Sequence, residues 1–355
     1  MIDISLCMIV KNEAAVLGRC LRSVRGLVDE IVVVDTGSTD ATREIAALHG
    51  AKVFDFPWVD DFSAARNYAF SKAARPYCMW LDADDVVEEP DRAAFLELKR
   101  TLDGSVDVVM LPYHVAFDEA GAPTFTYERE RILRNSPAFR WAGAVHEAIA
   151  PAGKIVHGTA AVSHRKLGPG DPDRNLRIYE GELALGKTLS PRAQFYYARE
   201  LTYHGRDEEA AAAFTAFLDG GEGWVENNIQ ACRDLFACDR RLGREAAAVE
   251  ALFRSLRYGL PRSEVCCDAG GWFFDRGDYR TAAFWYELAL TDREVAGEGA
   301  FVTPESHGFT PAIQLCVCWF RLGDMDRAKT YNDLAEQYRP GNEASAYNRR
   351  FFDAD

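Results

Sequence analysis

Cys78-Met79-Trp80-Leu81-Asp82-Ala83-Asp84-Asp85 runs from apolar residues straight into three carboxylates. Its first half has the composition of a buried strand, and its second half is the exit from that strand. Like charges gathered there repel one another. At ~5 Å and an effective dielectric of about 20, each pair costs on the order of 3 kcal/mol. A divalent cation reverses the sign of that energy. Carboxylate oxygens suit Mg²⁺ or Mn²⁺, which keep positions open for water and substrate phosphates. The stretch therefore reads as the carboxyl edge of an α/β sheet, built to handle a phosphorylated ligand.

Outward from it, the first ~110 residues alternate short apolar runs with helical patterns, the signature of a parallel α/β unit. Strands are expected at Ile4 to Val10, Ile31 to Val34, Lys52 to Phe56, Tyr77 to Leu81 and Val106 to Pro112, and helices at Ala14 to Val24, Asp40 to Leu48, Ser63 to Ala73 and Asp91 to Leu102. Asp40 and Ser63 are expected as helix N-caps. Ligands of open α/β sheets collect at the carboxyl ends of strands. Asn12-Glu13, Asp35 and Asp82/Asp84 all fall at such ends, which predicts one shared crevice.

Beyond about Pro191 the texture changes to Ala-rich helical segments broken by Gly turns. The glycines at 205, 243, 277 and 323 stand 38, 34 and 46 residues apart, close to the roughly 34-residue tetratricopeptide length. Phe214, Phe253, Trp285-Tyr286 and Tyr331 read as core packing of these repeats. Gly168-Pro169-Gly170-Asp171-Pro172 marks a boundary. The expected layout is an α/β domain over residues 1–170, a linker and connecting helix over 171–190, and a helical-repeat domain over 191–355.

The chain has 355 residues, 48% hydrophobic and 27% charged, and a formal charge of −14. That charge argues against nucleic acid and anionic lipid as partners. The N-terminal run meets Lys11-Asn12-Glu13 before a signal-peptide core is complete, and no transmembrane stretch is present. Nine scattered cysteines without zinc-ligand spacing read as reduced thiols in a cytoplasmic protein.

Several motifs carry competing readings. Asp35-Thr36-Gly37-Ser38 matches the aspartic-protease loop, but that chemistry needs a second carboxylate sharing one proton and the chain has no second copy. Asp35 is then either an acceptor for a base or ribose or part of a capped turn. The acidic cluster fails as an EF-hand loop, because Val87 stands where Gly is required. Arg66, in Asp61-Phe62-Ser63-Ala64-Ala65-Arg66-Asn67, either meets phosphate or a base or pairs with Asp82 or Asp35. Val145-His146-Glu147 and His164 follow the metal strands. The plain reading makes each histidine a core or surface residue and Glu147 a surface acid; against it, a group-transfer site needs a base, which points to Glu147 with His146 beside it. A metal site needs a further ligand, which points to His164 with Asp84 and Asp82.

Taken together, Ser5 to Glu13, Val33 to Asp40, Phe62 to Asn67 and Trp80 to Asp85 resemble the family 2 glycosyltransferases in order and spacing. The resemblance covers residues 1 to about 170. It implies a GT-A fold, a Rossmann-like nucleotide-diphospho-sugar transferase, ahead of the tetratricopeptide-like all-α domain. It also implies inverting transfer from a nucleotide sugar, usually a UDP-sugar, with Mn²⁺ or Mg²⁺. On that pattern Val10, Asn12, Glu13, Asp35, Arg66 and Asp82 take donor-binding positions, and Asp82 and Asp84 form the Asp-x-Asp motif. The short catalytic half, Val-His-Glu and the appended repeats resemble a bacterial subgroup that includes the sublancin-type peptide S-glycosyltransferases. The Glu-Asp and Gln-x-x-Arg-Trp signatures of processive polymerases are absent. The acceptor is expected to be a peptide, a protein or a saccharide, and the repeats to grip it or to pair two subunits. Rival readings are a nucleotidyltransferase, which would need a Gly-rich phosphate loop that Ile9 to Glu13 lacks, and a non-catalytic repeat scaffold.

Overall fold

β1 (Ile4–Val10) is apolar along almost its whole length, because it is buried on both faces of a sheet. Leu6 and Met8 pack on one side, with α1 (Leu17–Ser23), α2 (Thr42–Leu48) and α4 (Glu89–Thr101). Cys7 packs on the other, against α3 (Phe62–Ser71). β2 (Glu30–Asp35), β3 (Lys52–Asp55) and β4 (Tyr77–Trp80) extend the parallel set. The computed structural model describes residues 1–118, 121–168, 170–291 and 301–352. Two compact units result, Met1–Thr188 and Leu189–Asp355.

The sheet of the first unit departs from the all-parallel expectation. β6 (Val108–Phe117) and β7 (Pro123–Arg134) form a long antiparallel hairpin, and β7 also pairs antiparallel with β4. The order is β3-β2-β1-β4-β7-β6-β9-β5, with β5 (Asp85–Val86), β8 (Ile155–His157) and β9 (Val162–His164) as short additions. The last expected strand was too short because Pro112 reads as a terminator, yet it sits inside β6 opposite Glu128. The first unit also takes in α5 (Arg174–Ala184).

Two helix starts differ from expectation. Asp61, not Ser63, caps α3, accepting the Ala64 N–H at 2.9 Å. Asp40 lies one residue ahead of the α2 N-cap and accepts the Thr42 N–H at 3.0 Å. α1 starts late because the preceding backbone is held by side chains of the neighbouring loop. The Glu13 N–H donates to Thr42 Oγ1 at 2.7 Å and the Ala14 N–H to Asp40 at 3.1 Å.

The second unit is helical throughout its described residues. α6 (Pro191–Tyr203) pairs with α7 (Asp207–Gly220), α8 (Val225–Arg241) with α9 (Glu245–Arg254), α10 (Ser263–Asp275) with α11 (Tyr279–Thr291), and α12 (Phe309–Arg321) with α13 (Met325–Tyr338), before α14 (Glu343–Phe352). Gly205, Gly243, Gly277 and Gly323 sit in the four turns at φ of 68 to 82°, a left-handed conformation that glycine adopts without steric cost. The longest spacing carries the connection from α11 to α12, of which residues 292–300 lie outside the described residues. Phe214 and Tyr286 are buried, and Phe253, Trp285 and Tyr331 pack half-buried beside the repeat cores. All nine cysteines are free thiols. Among the described residues no helix is long and apolar enough to cross a membrane.

Candidate active site

Parallel pairing sets the end of β1 beside the end of β2, with Val10 opposite Asp35, and brings β4 alongside. Past these ends lies a cleft of about 930 Å³ within the first unit. Val10, Asn12, Glu13, Arg66, Asp82, Asp84, His146, Glu147 and His164 all line it. Asp35 does not. Its carboxylate is 3% exposed and accepts the Gly37 and Ser38 N–H groups and Arg43 at 3.1 to 3.3 Å, which is the capped-turn geometry.

Arg66 joins two strand-distant carboxylates. Its Nη2 donates to Asp82 at 2.8 Å and its Nε to Glu147 at 2.6 Å, while the guanidinium lies against Trp80 and Trp141. Only 8% exposed, the cation depends on those partners to offset its lost hydration. The pairing with Asp82 is the ion pair that the sequence offered as one option. Asp35 pairs with Arg43 instead. Burial alone would raise the Asp82 pKa, but Arg66 wins and holds it below the usual carboxylate range.

The His146-Glu147 loop is closed by Ala142 and Ala148, which exchange backbone hydrogen bonds at 3.0 and 3.1 Å. His146 is left-handed at φ 50°, as is Asn12 at φ 56° on the facing strand end. Non-glycine residues hold such conformations only where their surroundings impose them.

Antiparallel pairing of β5 with β9 sets Asp85 opposite His164. One donor atom from each of Asp84, Asp85 and His164 lies within 4.8 Å of the others. His164 Nδ1 is 3.4 Å from Asp84 Oδ1 and 3.3 Å from Asp85 Oδ1. An octahedral ion with bonds of about 2.1 Å sets neighbouring donors about 3 Å apart, and a carboxylate–imidazole set suits Mn²⁺. The residues therefore fit a divalent ion. Asp85 is the least available of them, being fully buried. Its oxygens accept from Tyr113 Oη at 2.8 Å, Arg131 Nη1 at 3.1 Å and the Asp82 N–H at 3.0 Å. Asp84 and His164, with Asp82 beside them, are the groups that would hold the ion.

Burial, then the charges of Asp84 and Asp82, push Glu13 up to about 7. Burial also raises Asp84 despite the nearby His164. The hydrogen bond to Asp85 raises His164. The sequence reading missed the Asp85–Arg131–Tyr113 support and two cations of the cleft, Lys166 and Arg174. Lys166 follows His164 by two residues, which is the one local signal that was there to read.

Residues 5–151 match the family described as glycosyl transferase family 2. This chain carries a family 2 glycosyltransferase domain. Its sheet is GT-A-like, and the helical unit that follows in sequence is tetratricopeptide-like. Among relatives, a TPR repeat-containing protein of Synechococcus elongatus is 43% identical over 150 residues, 42% of this chain and 36% of that protein. The SPbeta prophage-derived glycosyltransferase SunS of Bacillus subtilis is 30% identical over 224 residues, 57% of this chain and 50% of SunS. The lipopolysaccharide core biosynthesis glycosyltransferase LpsC of Rhizobium meliloti is 28% identical over 164 residues, 43% of this chain and 59% of LpsC. The chain thus spans 36 to 59% of the length of these three relatives.

Proposed function

We propose that the protein is an inverting, metal-dependent glycosyltransferase that moves a sugar from a UDP-sugar to a peptide, protein or saccharide acceptor. The observation that carries this reading is the meeting of Asp84 and His164 in the cleft that also holds the β1 end and the Arg66–Glu147 pair. In a single displacement, the acceptor's O–H or S–H group attacks the anomeric carbon. The bond from that carbon to the diphosphate oxygen breaks, its electron pair leaves with UDP, and the configuration inverts. Glu147 takes the acceptor's proton. Arg66 holds its Oε1, so Oε2 is the receiving atom. Mn²⁺ or Mg²⁺ on Asp84 and His164, with Asp82, would supply Lewis-acid stabilisation of the leaving diphosphate. Val10, Asn12, Glu13 and Asp82 face the donor, and Asp35 serves it by shaping the Thr36 turn, which reaches the cleft.

The test is nucleoside diphosphate release across a panel of UDP-sugars with Mn²⁺. Asp84→Ala should lower metal-dependent release by at least about 10³-fold, an effect of ~4 kcal/mol. Glu147→Gln should lower transfer about 10²-fold or more while UDP binding stays within a few-fold. Release of pyrophosphate instead of UDP would favour a nucleotidyltransferase, and unchanged activity in Asp84→Ala would sink the metal assignment.

A further inference from the structure

The resemblance gives Arg66 to the donor, yet the charge of Arg66 is already answered. One buried guanidinium faces two carboxylates, Asp82 at 2.8 Å and Glu147 at 2.6 Å. It has no positive charge left over for a diphosphate, each phosphate of which is an anion. With a divalent ion at Asp84 and His164, the ion and Arg66 together would bring three positive charges against the three carboxylates of Asp82, Glu147 and Asp84. The donor's negative charge must therefore be met by other groups.

Three cations that form no ion pair among the described residues line the same cleft: Lys11 at the β1 end and, on the opposite chain segment, Lys166 and Arg174. Lys166 lies just past His164, and Arg174 is the first residue of α5. The Arg174 guanidinium lies 4.6 Å over the ring of Phe62, itself part of the cleft wall, and its hydrogen bonds go to the neutral Asn175 Oδ1 at 3.3 Å. Its charge reaches the β1 end, where it opposes the rise in the Glu13 pKa. Arg177, on the same helix, is taken by Asp171 at 2.6 Å. Among the described residues neither Lys166 nor Arg174 forms an ion pair.

We infer that Lys166 and Arg174 are the diphosphate-recognising cations of this cleft, selecting nucleoside diphosphates over nucleosides. This rests on the glycosyltransferase reading above. The planar guanidinium offers two parallel N–H donors to phosphate oxygens, and the ammonium acts as a point charge. Both side chains are exposed, so either can be replaced without opening the core.

The experiment is calorimetric titration of the full chain with UDP and with uridine, in Mn²⁺. Lys166→Gln and Arg174→Gln should each weaken UDP about tenfold, and the double variant about 100-fold, with uridine unchanged within twofold. Lys11→Gln removes a cation that lines the same cleft from the β1 end and should leave the UDP-over-uridine ratio intact. The inference is overturned if the double variant keeps the wild-type ratio, if UDP and uridine weaken equally, or if Lys11→Gln alone collapses the ratio. A wild-type protein that prefers UDP through these two cations but releases none from any UDP-sugar would sink the transferase reading and leave the diphosphate assignment standing.

Discussion

The two units use charge in opposite ways. In the first, ion pairs converge: Arg66, Asp82, Glu147, Asp84, Asp85, His164 and Arg131 lie in one connected patch at the ends of β4, β5 and β9. In the second, they recur. Arg199 pairs with Asp234, Arg233 with Asp268 and Arg240 with Asp275, and each of these pairs joins residues 35 positions apart, one repeat length. A converging network is desolvated and shaped around a ligand. A recurring one ties each repeat to the next and needs no ligand to account for it. Charge density by itself therefore does not mark a site. Desolvation and convergence together do.

The sharpest way to break this contrast is at Arg131. It is fully buried between Trp80 and Tyr113, at 3.9 and 4.1 Å from the ring centres, and its partner Asp85 is fully buried too. Arg131→Met leaves that carboxylate uncompensated. Removing one partner of a buried pair costs about 3–5 kcal/mol. We expect a loss of that size in denaturant unfolding of the first unit, with weaker Mn²⁺ binding in whatever fraction stays folded, because Asp85 also holds the Asp82 N–H and the His164 ring. A loss below about 1 kcal/mol would place Arg131 with the surface pairs and remove the contrast.

How much of this was legible beforehand follows from the same physics. β1 was read to the residue, since burial on both faces leaves an unbroken apolar run. β7 was not read at all, because its first half is exposed and spells Pro-Thr-Phe-Thr-Tyr-Glu, and the buried half that follows, Glu-Arg-Ile-Leu, opens on two charged residues. That Asp82 and Asp84 open onto one cleft was legible from their place at a strand end, and the structure sets His164 in the same cleft. Asp35 was legible as a strand end, but whether its carboxylate faces a ligand or its own loop depends on the Gly37 and Ser38 amides, which no residue pattern fixes. Arg131 sat unnoticed between Glu130 and Ile132, because an arginine inside a strand looks solvent-facing until its partner across 46 residues is known.

A middle-sized test uses pH on Glu13. Its carboxyl rises from an ordinary 4.5 to about 7 in the folded chain, chiefly through burial and the charges of Asp84 and Asp82. The folded state therefore binds the proton more tightly than the unfolded one. That stabilisation is complete below about pH 4.5 and is lost as pH rises through about 7. Undiluted, the difference would be roughly 3 kcal/mol, and solvent access to the carboxylate should reduce it to about 1 kcal/mol. In metal-free buffer, Glu13→Gln should match wild type near pH 4 and exceed its stability by about 1 kcal/mol at pH 8. Parallel stability curves for the two proteins would mean that the acids of the cleft do not feel one another.

The smallest expected effect lies in the repeats. Arg240 and Asp275 meet at 2.6 Å with side chains 37% and 51% exposed. Water already solvates both groups, so the pair gains little from meeting, and exposed pairs contribute about 0–1 kcal/mol. Arg240→Ala, Asp275→Ala and the double variant should return a coupling energy below about 0.5 kcal/mol, shrinking further in 0.5 M salt. Arg240 also lies against the Phe236 ring at 5.6 Å, so the single arginine variant includes lost packing that the cycle subtracts. A coupling near 3 kcal/mol would give this periodic pair the same weight as the converging one. Charge in the helical unit would then be more than a tie between neighbours, and the groove lined by Arg233, Asp234, Arg240 and Asp268 would become the place to look for a second ligand.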